Sequence, residues 1–181
     1  MRRYKSIVLS GLPLAGKSVL ARALSEKYGM GVYSVGDIWK RKWKERHPDD
    51  KMAFEAFWQG TSEEENAAED KKARETFERG GVVGDARYCA IFGGDVGLRV
   101  FITAEIDIRL ERAFSVERYK GIDPQEMRDT LRIREADESV LGLRLYSKDF
   151  REPGHYHIVL NSGMLSLEEE VAAIDSLFEA D

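Results

Sequence analysis

Residues 11–18 read Gly-Leu-Pro-Leu-Ala-Gly-Lys-Ser, a gapless match to G-x-x-x-x-G-K-[ST]. Each fixed position has a physical reason. Gly11 and Gly16 let the backbone curl so that successive N–H groups point inward at phosphate oxygens. A helix starting near Gly16 adds the positive end of its dipole to that anion nest. Lys17 supplies a mobile cation to β- and γ-phosphates, and Ser18 offers a hydroxyl to Mg²⁺. An ordinary glycine turn would need no Lys-Ser pair. The expected chemistry is binding of a nucleoside triphosphate.

Other groups could serve a second substrate. Asp85 follows Val82-Val83-Gly84 at a strand end, where a carboxylate can hold Mg²⁺ or orient a ligand. Arg87, two residues on, can grip an anionic phosphate, although a plain turn with an ion pair has the same residues. Arginines at 109, 112, 118, 128, 132 and 134 cluster late in the chain. Arginines closing over a transferred phosphoryl group stabilise its charge. Most of these are expected on a solvated face among Glu111, Glu117, Asp129 and Glu135, with two or three in a site. Trp39 and Trp43, four apart, read as packing rather than a stacking platform. Lys40, Arg41, Lys42 and Lys44 read as a solvated face from which one could reach a phosphate. His155 and His157 alternate on an expected strand and share its face, without partners for a metal site.

These residues need positioning elements. Residues 6–10 (SIVLS) read as a buried strand, and 16–28 as a helix with Gly29 after its end. Residues 31–34 form a short second strand, 37–46 a basic helix, and 52–59 a short helix ended by Gly60. Ser62-Glu63-Glu64-Glu65 is a capping box that opens a long helix stopped by Gly80-Gly81. Residues 82–85 are a third, glycine-weakened strand and 98–102 a fourth, followed by a helix from about 105. Asp123-Pro124-Gln125-Glu126 starts a helix running to about 139, with more helix to about 148. Residues 156–160 are the fifth strand, and Ser166-Leu167-Glu168-Glu169 caps a final amphipathic helix. Strands alternating with helices predict an α/β fold of three layers with a five-stranded parallel sheet. Its ligand would lie at the carboxyl ends of the strands.

At 181 residues the chain suits one domain. Its core is expected over about 1–36, 81–104 and 151–181, with helical inserts over about 37–80 and 105–150 that could move over the site. Net charge is −5, which argues against a nucleic-acid partner. The single cysteine, Cys89, excludes intrachain disulfides and Cys-rich zinc sites. No apolar run approaches a membrane span, and the N-terminal apolar run is too short for a secretory signal. A cytoplasmic protein is expected.

A loop of this kind alone does not say what is phosphorylated. No N-K-x-D motif of GTPases is present, and small size with two inserts favours a small-molecule kinase. The segments SGLPLAGKS, YSVGDIWK, EDKKARETFERGGVVGDAR, IREAD, LYSKDF and YHIVLNSGMLSLEEEV follow in order along nearly the whole chain. In that order they resemble the cytidylate kinase family of nucleoside monophosphate kinases, particularly its short archaeal-type members. The resemblance implies a P-loop fold with a helical monophosphate-binding flap and a helical lid. It implies ATP and Mg²⁺ as cofactors, a nucleotide substrate, and a monomer or weak dimer. Gly11, Leu14, Ala15, Gly16, Lys17, Ser18 and Val19 would bind ATP, with Ser18 and Asp85 at the metal. Asp37 and Lys40 would lie in the flap, Lys40 standing where the family has arginine. Asp70 would sit near the nucleoside, followed by Lys71 and Lys72 in place of two arginines. Asp85 and Arg87 resemble the D-G-R segment, with Ala86 for its glycine. Arg134 and Glu138 resemble the R-x-x-x-[DE]-x-x-R pattern, and Arg118 a lid arginine. Lys17, Arg87, Arg134 and Arg118 would be catalytic, and CMP or dCMP the acceptor. The last arginine of that pattern falls on Leu141, for which Arg144 could compensate.

Two alternatives stay open. One is a kinase for AMP, UMP or an alcohol, the last needing Asp85 or Asp37 as base. The other, prompted by Leu141, is a catalytically weak ATP-binding regulatory module.

Overall fold

Ile7–Gly11 forms β1, buried along its whole length, as a strand covered on both faces must be. The computed structural model describes residues 3–48, 54–88, 91 and 96–179, without the side chains of Glu55 and Arg118. Met52 and Cys89 lie outside the described residues. The chain continues through α1 (Lys17–Tyr28), β2 (Gly31–Ser34), α2 (Val35–Arg46), α3 (Phe54–Gln59), α4 (Glu63–Arg79) and β3 (Val82–Asp85). It then forms β4 (Leu98–Thr103), α5 (Ile106–Phe114), α6 (Pro124–Tyr146), β5 (Ile158–Asn161) and α7 (Leu167–Phe178). All pairings are parallel, in the order β2-β3-β1-β4-β5.

The alternation of side chains along β1 builds the layers. Ile7 and Leu9 point to one face and pack with Leu20 and Leu24 of α1 and with Ile174 and Phe178 of α7. Val8 points to the other, toward Trp39 of α2, Phe54 and Phe57 of α3, and Ala73 and Phe77 of α4. Two further clusters hold α5 to α6 (Leu110, Ala113, Met127, Leu131) and gather Tyr88, Phe101 and Phe150. Gly84 is where α4 meets the sheet. A Cβ there would lie 2.4 Å from the Phe77 ring, so the residue that weakens the strand locally admits the helix.

Ser62, Asp123 and Ser166 cap α4, α6 and α7 as their sequences predict, the first and last with complete capping boxes. The second helix starts at Val35 rather than 37, because the Ser34 hydroxyl accepts from the Asp37 N–H at 3.2 Å. The late helical stretch is one helix through Tyr146. Gly142 continues it and gives Tyr88 room, a ring carbon lying 3.1 Å from where a Cβ would be. The two histidines share no strand face, since β5 begins at Ile158. His155 closes a 3₁₀ turn and its carbonyl accepts from Arg99 Nε at 2.8 Å. The His157 ring instead takes the Arg99 N–H through Nδ1 at 2.9 Å.

Candidate active site

The carboxyl ends of the strands open into a cleft of about 650 Å³. At its centre the β1–α1 loop holds the shape its glycines allow. Gly11 has φ 141° and passes under β4, where a Cβ would lie 2.0 Å from the Ile102 carbonyl oxygen. Gly16 has φ 99° at the cap of α1. Leu14 is left-handed as well, at φ 61°, a conformation an apolar side chain adopts only when its surroundings impose it. Its packing on the α5–α6 cluster is that constraint.

Lys17 folds back over this loop. Its Nζ donates to the Gly11 carbonyl at 3.0 Å and the Leu12 carbonyl at 2.8 Å. Burial pushes the ammonium down to about 8. Asp85 and Glu138 pull it upward, and Arg87 and Arg134 push further down. One turn along, the Ser18 hydroxyl donates to Asp85 Oδ2 at 2.8 Å. A hydroxyl and a carboxylate thus lie side by side at the loop, the oxygen donors a hard cation such as Mg²⁺ takes.

Opposite Lys17 stands a charge cluster built by β3 and α6. Glu138 is fully buried. Its Oε1 accepts from Arg134 Nε at 2.8 Å, and its Oε2 ion-pairs with Arg87 Nε at 2.5 Å. Tyr88 fixes this helix turn by donating to the Glu138 carbonyl at 2.6 Å. The Arg87 guanidinium lies 5.6 Å from the centre of the Trp58 ring, a cation–π contact from α3. Arg87 and Arg134 line the cleft, and Glu138 holds both from behind.

The same side carries Asp70 and Asn66 of α4. Tyr146 donates to Asp70 Oδ2 at 2.6 Å. Burial raises the Asp70 carboxyl to about 6, against the pull of Tyr146 and Arg87 and with a push from Glu69. The folded protein therefore holds this proton more tightly than the unfolded chain between the ordinary value of 3.8 and about 6. Stability is lost as pH rises through that window. Asp70→Asn keeps an acceptor for Tyr146 and removes the buried charge. Its urea-unfolding free energy at pH 7.5 is expected to exceed wild type by on the order of 1–3 kcal/mol, with the gap closing by pH 4. An equal gap at both pH values would show that the charge is not the cause.

The other side of the cleft belongs to β4 and β5. Arg112 of α5 donates from Nη1 to Ser162 Oγ and from Nη2 to the Ser162 carbonyl, both at 2.8 Å. Ser162 in turn donates to the Ala15 carbonyl at 2.6 Å, tying the β5 loop to the phosphate loop. Leu165, Leu167 and Glu170 complete this wall.

Most of the residues named from sequence meet here. Leu14, Gly16, Lys17, Ser18, Val19, Lys40, Asp70, Asp85, Arg87 and Arg134 line the cleft. Gly11 and Ala15 frame the loop behind them. Asp37 does not line the cleft. It is exposed and ion-pairs with Lys40 at 2.7 Å. The side chain of Arg118 lies outside the described residues. Arg144 does not take the place left by Leu141, because it is 67% exposed and faces Glu63 at 3.6 Å. Leu141 packs against the Tyr88–Phe150 cluster. Of the clustered arginines, 112 and 134 reach the cleft. Arg109 is buried against Glu135 and the Ala104 carbonyl, and Arg128 pairs with Asp107. Trp39 packs on Phe57 and also lines the cleft, while Trp43 packs on Phe54. Sequence reasoning missed Trp58, Asn66, Ser162 and Glu170, which no local motif marks.

Residues 6–164 match the model of the cytidylate kinase-like family. The chain belongs to that family. Cytidylate kinases of Methanopyrus kandleri and Methanoregula boonei are each 29% identical to it, over 97% of this chain and 95% of the first, and 94% of this chain and of the second. Membership makes the protein an enzyme, an ATP-dependent phosphotransferase of the nucleoside monophosphate kinase type. Among solved structures, a gluconokinase from Sinorhizobium meliloti superimposes with TM-score 0.60 at 18% identity, covering 99% of this chain and 96% of that one. Shikimate kinase from Acinetobacter baumannii gives 0.59 at 15% identity, over 97% and 93%. At such identities the likeness is one of fold: the P-loop kinase sheet with flanking helices. Among the described residues no helix is long and apolar enough to cross a membrane.

Proposed function

We propose that this cytidylate kinase-like protein moves the γ-phosphoryl group of ATP to a pyrimidine nucleoside monophosphate, CMP or dCMP. The observation that carries the reading is the pair Arg87 and Arg134, held by buried Glu138 and facing Lys17 across one cleft. Two guanidiniums opposite a phosphate-loop lysine suit two phosphate groups meeting in line. Trp58, Asn66 and buried Asp70 line the same side of the cleft, one apolar ring and two polar groups suited to an acceptor nucleoside.

Ser18 and Asp85 would hold Mg²⁺. Bound there, the ion would offset negative charge on the polyphosphate. Lys17 would leave the Gly11 and Leu12 carbonyls to follow the γ-phosphate. Arg87 would bind the acceptor phosphate and Arg134 the charge on the moving group. Residues 37–80 would serve as a flap and 105–150 as a lid, closing over both substrates to exclude water within a single P-loop kinase domain. No base is required, since a phosphomonoester oxygen is already ionised at neutral pH. An alcohol acceptor fits less well, because Asp85 is engaged by Ser18 and Asp37 stands outside the cleft. One chain supplies every residue named, so a monomer or weak dimer working in the cytoplasm suffices.

A panel of CMP, dCMP, UMP, AMP and shikimate, read by ADP release, tests the acceptor. CMP or dCMP should give the highest kcat/KM, and a preference for AMP or shikimate overturns the reading. Arg87→Ala should raise KM for the acceptor roughly tenfold to a hundredfold, with KM for ATP within about threefold of wild type.

A further inference from the structure

The strand order divides the cleft. Acceptor-side groups follow β3 or lie on α3 and α4, and the triphosphate loop follows the central strand β1. A donor nucleotide with its tail in that loop must therefore place its base on the β4–β5 side. There Val116, Leu165 and Leu167 supply apolar surface, beside Ser115, Ser162, Arg112 and Glu170. Arg112 is turned to Ser162 by two hydrogen bonds. Glu170 is 5% exposed, and its Oε1 has no hydrogen-bond partner among the described residues. Burial raises this carboxyl to about 6, with Arg112 pulling the other way. A buried acceptor without a partner, in the wall of the cleft beside apolar side chains, is a group a ligand can satisfy.

Building on the kinase reading, we propose that Glu170 selects the donor nucleotide by its base, accepting a hydrogen bond from an exocyclic amino group such as that of adenine. Hypoxanthine is nearly the same shape and presents an oxo group at that position. It would set one acceptor against another and leave both unpaired. Glu170 is thus a specificity residue for the donor, distinct from the groups that hold phosphate.

Calorimetric titration of the full chain with MgATP and with MgITP, without acceptor, tests this. Wild type should bind ATP at least about tenfold more tightly than ITP. Glu170→Gln can turn either its oxygen or its nitrogen to the base, so the ratio should fall to within about threefold. Glu170→Leu should reach a similar ratio through weaker ATP binding. A merely structural role would move both affinities together and leave the ratio unchanged in both variants, which overturns the proposal. Should the leucine variant fail to fold, the glutamine variant decides. Equal affinities in wild type overturn this inference alone, whereas no binding of either triphosphate overturns the kinase reading with it.

Discussion

Lys17→Ala is expected to lower kcat by a factor of about 10³ or more, while the folded protein melts within a few degrees of wild type. The lysine is the one mobile cation of the loop, and its two present partners are backbone carbonyls. Removing it leaves the loop's shape to Gly11, Gly16 and the packing of Leu14, none of which depends on the ammonium. At pH 7 the two hydrogen bonds lost with the ammonium offset the relief of a buried charge, so the net change in stability there is small. Because burial lowers the ammonium to about 8, the folded state disfavours its charged form, and wild type gains stability as pH rises from about 8 toward the ordinary 10.5. The alanine variant should lack that gain. Steady-state rates with saturating ATP and acceptor, together with melting curves at pH 7 and 10, check both halves. Turnover near wild type would refute the role given to Lys17.

Glu138→Ala should be the most destabilising single change in the cleft. The carboxylate is fully buried and serves two guanidiniums whose side chains are 20% and 19% exposed. Deleting it leaves two like charges without a counter-charge, and removing one partner of a buried pair costs on the order of 3–5 kcal/mol. For a chain of this size that lowers Tm by roughly 10 °C. The same picture gives a second readout. A dianionic acceptor phosphate would replace the missing carboxylate, so CMP should raise the variant's Tm by more than it raises wild type's. Equal shifts would mean that the arginines do not face the acceptor.

The phosphate loop was legible because its chemistry is local: eight consecutive residues carry the glycines, the lysine and the serine. Asp85 and Arg87 were legible for a related reason, lying at the end of a strand whose end must be near the loop. The layered sheet followed from alternating short apolar runs and capped helices. Glu138 entered through a family pattern, and only the fold shows it reaching Arg87, 51 positions away in the chain. Trp58 and Asn66 became part of the cleft through the packing of α3 and α4 on α2, which no spacing announces. Asp37 reads as a site residue by its place in a motif, but the turn that starts α2 at Ser34 leaves its side chain in solvent with Lys40. Arg144 falls outside the cleft for a geometric reason: α6 runs unbroken, so position 144 is carried around to the face toward Glu63.

Trp58 has a practical consequence. Its indole lies against the guanidinium that would meet the incoming monophosphate, whereas Trp39 and Trp43 are set in aromatic packing with Phe57 and Phe54. Converting those two to phenylalanine leaves a single tryptophan, beside Arg87. Occupancy of the acceptor pocket would then be visible as a change in intrinsic fluorescence, giving a label-free optical readout on the stopped-flow timescale.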